Sequence, residues 1–143
     1  MTWRTVAAGG GFALALIGSF TSWVSAGGRS FSAFEDNAQF RVGDWLGNDS
    51  IPIDGLLALA LACGGLAVVW ALAAGRIPER RGPMFVRELG SVTMALGILE
   101  MQFISSVSSG GADWGFGLYL MVVGGALATF SPFFPNRSLQ TAR

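Results

Sequence analysis

The chain has 143 residues, 52% hydrophobic and 13% charged, with a mean hydropathy of +0.54; a soluble domain carries about 25% charged residues, so roughly half the usual polar coat is missing. All nine basic residues are arginine, balanced by nine Asp and Glu, which leaves zero formal charge and no basic field to attract nucleic acid. The absence of histidine and lysine, with Cys63 as the single cysteine, excludes Ser-His-Asp and Cys-His nucleophiles, His-ligated metals, Schiff-base lysines, an internal disulfide and cysteine-cluster metal sites.

Four stretches approach the roughly 20 apolar residues that cross a bilayer as a helix. They lie at about residues 5–24, 55–75, 88–107 and 115–134, and they predict an all-α polytopic membrane protein with one four-helix domain over residues 1–143. Val24-Ser25-Ala26 imitates a signal-peptide cleavage site, but the apolar run before it is long for a signal core and suits a span. Small residues four apart in the spans, such as Ala7 and Gly11, Gly18 and Ser22, Ala60 and Gly64, and Gly124 and Ala128, mark faces where helices approach closely.

The first loop, residues 27–54, is the sizeable segment outside the spans. Ser32-Ala33-Phe34-Glu35 reads as a capping box, with the Ser32 hydroxyl accepting from the Glu35 amide and the carboxylate returning to Ser32. Phe34, Ala38, Val42, and Trp45 or Leu46 then recur at helical spacing, predicting a short amphipathic helix that ends at Gly47. Its apolar residues Phe34, Val42, Trp45 and Leu46 would cap the bundle as a lid or dock a partner. Asp54 reads as the N-cap of the second span. The segment Gly18 to Gly47 resembles small four-span membrane proteins of actinobacteria: an aromatic span end (Trp23), a Gly-Gly-Arg-Ser turn (27–30), a Ser-x-Phe-Glu opening (32–35) and a Leu-Gly close (46–47). The resemblance implies location and fold, and no activity.

Cys63 is expected as a small hydrophobe within the second span. The link after it carries Arg76, Arg80, Arg81 and Arg87, residues suited to anionic lipid headgroups. Arginines also flank the first span at Arg4 and follow the fourth at Arg137 and Arg143, whereas the first loop is acidic. Both termini are therefore expected in the cytoplasm, in a cytoplasmic (inner) membrane. Trp3 and Trp70 fall near the proposed inner interface, Trp23 and Trp114 near the outer one.

Glu100 is the ionisable residue well inside a span, where an acid costs on the order of 3 kcal/mol. Thr93, Gly90 and Gly97 share its helix face, and Gln102 projects roughly 200° away. Glu100 reads as a protonated carboxyl hydrogen-bonded to Ser19, Ser22 or Thr129, as a contact to a partner chain, or as a proton or cation site. These residues together predict a non-catalytic accessory or scaffold subunit, without a cofactor, packed against larger membrane partners such as those of a respiratory or cell-envelope complex. The competing expectation is a small homo-oligomeric channel or carrier in which Glu100 lines the shared path.

Overall fold

Helices form where the chain is continuously apolar, and the computed structural model describes them within residues 2–35, 53–78, 80–108 and 111–135. Helix α1 runs Trp3–Phe20 and is opened by Thr2, whose hydroxyl accepts from the Thr5 amide at 3.4 Å. Helix α2 spans Ile53–Ala73, α3 spans Gly82–Val107 with Pro83 in its first turn, and α4 spans Phe116–Phe130. Pro132 converts the end of α4 into a 3-10 turn, Ser131–Phe133. Asp54 is not the cap of α2 but a buried residue of its first turn, where an acid complements the helix dipole.

Three segments are long and apolar enough to cross a membrane: Ile53–Ala73, Gly82–Val107 and Phe116–Phe133, with hydropathies of 2.4, 1.2 and 1.6. Helix α1 is 18 residues long and includes Arg4, Thr5 and three consecutive glycines, which dilute its apolar character. It also ends at Phe20, four residues before the expected boundary, because the chain leaves it as a strand.

That strand corrects the all-α expectation. Strand β1 (Ser22–Ala26) turns through Gly27 and Gly28 into β2 (Arg29–Ser32), and β3 (Ala112–Trp114) adds to the other edge of β1. Both pairings are antiparallel, with Ala26 opposite Arg29 on one side and Ala112 on the other. The two turn glycines have φ of 58° and 77°, the left-handed pair required by a type I′ hairpin and costly for any residue with a Cβ. The sheet caps the end of the bundle where α1 stops and α2 and α4 start. Trp23, expected at a membrane interface, is instead buried beneath it and donates its indole N–H to the Gly18 carbonyl at 2.9 Å. Glu35 half-realises its capping box: its carboxylate accepts from the Ser32 amide at 2.9 Å, while its own amide goes to the Ser32 carbonyl rather than the hydroxyl. Val42, Trp45 and Leu46, with the remainder of the expected lid helix, lie outside the described residues.

The antiparallel helices are arranged α1, α4, α3, α2 around the bundle, with α4 packed most extensively against α1 and α3. The sequence reason is a set of facing glycines. A Cβ on Gly11 would sit 2.5 Å from the Gly124 carbonyl oxygen, and one on Gly18 would sit 2.7 Å from that of Gly117. On the other side of α4, a Cβ on Gly125 would lie 2.5 Å from the Met94 amide, and one on Gly90 would lie 2.6 Å from the Thr129 amide. Such backbone contact is how helices associate where no hydrophobic drive separates them from lipid. Helix α2 packs more loosely, through Phe12 of α1 seated on Gly65 and Leu72 seated on Gly82 of α3.

Candidate functional site

The face of α3 formed by Gly90, Thr93, Gly97, Glu100 and Ile104 is buried along its whole length, and Thr93, Glu100 and Ile104 are fully enclosed. Helical periodicity puts these five on one side, and the two glycines let α4 approach closely enough to seal it. A Cβ on Gly97 would meet the Val122 side chain at 2.8 Å. Gln102 lies on the opposite, exposed side of α3, so the two polar groups face the bundle interior and its surroundings respectively.

The hydroxyls around this face are turned back onto their own helices. Ser19 donates to Ala15 O at 3.0 Å, Thr93 to Leu89 O at 2.8 Å, and Thr129 to Gly125 O at 2.8 Å. Each bond satisfies a buried hydroxyl inside its own helix. Ser19 and Thr129, expected as partners of Glu100, donate their own protons within their helices and keep oxygen lone pairs that can accept from a protonated carboxyl; Ser22, the third expected partner, lies in β1. A Ser91–Thr129 hydroxyl pair at 3.4 Å links α3 to α4.

The outer side of α2 has a different character. Leu56, Ala60, Cys63, Ala67 and Trp70 alternate at three- and four-residue steps and are all exposed. Cys63 is therefore on the surface, correcting its expected burial. A Cβ on Gly64 would meet nothing within 4 Å. Of the small-residue pairs in the sequence, Gly11, Gly18 and Gly124 are consumed between α1 and α4, whereas Ala60 and Gly64 remain uncovered. Nothing local in the sequence separates these cases, because α2 is apolar all round.

The expected headgroup arginines are exposed at the end of the bundle opposite the sheet. The Arg76 guanidinium lies 4.5 Å from the Trp70 ring centre, a cation–π contact, and Arg87 pairs with Glu88 at 3.3 Å on the surface. Arg80 and Arg81 occupy the turn before α3. Arg4, read in the sequence only for its charge, donates from Nε to the Phe134 carbonyl at 2.7 Å and ties the start of α1 to the end of α4. At the sheet end, Phe34 is partly buried and stacks on Phe20 with ring centres 5.4 Å apart. It is the one residue of the expected lid contact within the described residues.

Comparison with protein-family models, with curated proteins and with solved structures finds no match to this chain.

Proposed function

We propose that this chain is a four-span integral membrane protein of the cytoplasmic membrane that works without catalysis, as an accessory subunit whose α2 outer face packs against a helix of a larger membrane partner. The observation that carries this reading is the unequal use of its small residues. Gly11 and Gly18 of α1, Gly90 and Gly97 of α3, Gly117, Gly124 and Gly125 of α4 and Gly65 of α2 are spent within the chain, while Ala60, Cys63, Gly64 and Ala67 form a smooth, uncovered strip on its most apolar helix; Gly10 of α1 is also uncovered, but stands beside no such strip of α2. Close backbone approach over such a strip is a main source of helix association in lipid.

Inclusion of α1 as a fourth span is supported by where the exposed aromatic residues fall. Trp3, Trp70, Phe85 and Phe133 ring one end of the bundle, and Phe20, Trp114, Phe116 and Tyr119 ring the other. Exposed Ile17, Leu57, Val92, Leu99 and Val123 lie between them. The 18 residues of α1 extend about 27 Å, close to the roughly 30 Å hydrocarbon layer. The arginine end would face the cytoplasm. A homo-oligomeric channel with Glu100 on a path shared between copies fits less well, because that carboxyl is enclosed by its own chain.

The test uses the single cysteine. In native membranes, a photo-crosslinker attached to Cys63 is expected to yield a covalent adduct with a larger protein. The same reagent on Val123→Cys in a Cys63→Ala background, across the bundle on α4, should give none, and Gly64→Leu should abolish the Cys63 adduct. Equal adducts from both positions, or from neither, would overturn the proposed face.

A further inference from the structure

At the arginine end of the bundle, a cleft of about 430 Å³ opens between α1, α2, α3 and the 3-10 turn. Its volume lies within the range of about 300–1,000 Å³ common for small-molecule sites. Arg4 and Thr5 of α1 line it together with Ser131 of the 3-10 turn, and Ala8, Leu72 and Val86 supply apolar wall. The Nε–H of Arg4 is fixed on the Phe134 carbonyl, and its two terminal amino groups have no protein acceptor among the described residues. Among the described residues no carboxylate lines the cleft, and Glu88, at the same end, is engaged by Arg87. The lining therefore joins the Arg4 guanidinium and the Thr5 hydroxyl to a hydrocarbon surface, while the Ser131 hydroxyl donates to the Ala128 carbonyl at 2.7 Å.

A bare anion would leave the apolar wall unused, and a hydrocarbon would leave the guanidinium without an acceptor. A molecule carrying both a phosphate and acyl chains satisfies both, because a guanidinium fork matches two phosphate oxygens. The charge of the neighbourhood decides the headgroup: an ammonium-bearing lipid would bring its cation towards Arg4, Arg76, Arg80 and Arg81. We infer that this cleft binds one anionic phospholipid, its phosphate on Arg4 and the Thr5 hydroxyl and its upper acyl chains against Ala8, Leu72 and Val86. The inference rests on the reading of the bundle as membrane-embedded, though not on the identity of any partner protein.

The full-length chain in phosphatidylcholine nanodiscs can be titrated with phosphatidylglycerol, and the retained lipid counted by native mass spectrometry. One phosphatidylglycerol per chain is expected. Arg4→Gln should weaken its retention about tenfold, since a charge-assisted hydrogen bond is lost. Ala73→Trp, which fills the cleft from its exposed rim, should abolish retention while circular dichroism stays unchanged. Arg29→Gln, exposed in β2 at the sheet end and outside the cleft, should leave the count as in the wild type, and inorganic phosphate should not displace the lipid. If Arg4→Gln disrupts folding, Ala73→Trp decides alone. Equal retention of phosphatidylcholine, displacement by phosphate, or wild-type retention in Ala73→Trp would overturn the inference. An alkaline carbonate wash separates the two readings. Release of the chain from the membrane refutes embedding, whereas a chain that stays embedded but is indifferent to both variants refutes only the cleft.

Discussion

Glycine at particular positions, rather than glycine content, holds this bundle together. The backbone of α1 meets that of α4 at Gly11 opposite Gly124 and again one heptad away at Gly18 opposite Gly117. Any side chain there must displace a carbonyl that cannot yield without moving its helix. Gly124→Val is therefore expected to destabilise the bundle by at least about 2 kcal/mol, as overpacking does in a closed core. Gly64→Val, built into open space, should change the stability of the isolated chain by less than about 0.5 kcal/mol. Reversible unfolding in mixed micelles, followed by circular dichroism, checks both; equal losses would contradict the packing described. The Glu100 face was legible from sequence because the three- and four-residue steps linking Gly90, Thr93, Gly97 and Glu100 can lie on only one side of a helix. The role of Arg4 was not, since its acceptor at Phe134 lies 130 residues away.

Among the elements, the helices followed from hydropathy and the sheet did not. A β-strand of five residues and another of four carry too little alternation to stand out beside a span, and β1 gains its second neighbour, β3, from a loop far along the chain. Gly27-Gly28 between them was the available signal, since two adjacent glycines are what a two-residue hairpin with positive φ requires. Gly28→Val should cost about 1–2 kcal/mol of hairpin stability. Amide exchange in β1 should then accelerate about tenfold or more, with α4 unchanged. Unchanged exchange in β1 would contradict the turn. The outward side of α2 was hidden for a different reason. An all-apolar helix has no polar face to show which residues look inward, so only the position of Phe12 reveals that Gly65 is covered and Gly64 is not.

At the scale of the whole molecule, charge and aromatic residues divide the bundle into two unlike ends. Among the described residues, one carries Arg4, Arg76, Arg80, Arg81 and Arg87 against Glu88; the other carries the sheet, with Glu35, Asp54 and Asp113 near it against Arg29. This asymmetry predicts the orientation. With Cys63 replaced by alanine, a membrane-impermeant maleimide applied to intact cells should label Ser30→Cys and spare Arg80→Cys until the membrane is opened. The reverse pattern would invert the topology, and labelling of both would argue against a spanning bundle. The most direct test of the central claim, that this is a subunit completed by a larger membrane protein, is native mass spectrometry of the chain after gentle nanodisc extraction from its own membrane. One heterologous assembly is expected, lost in Gly64→Leu while the chain stays folded. A monomer or a pure homo-oligomer, unaffected by that substitution, would contradict it.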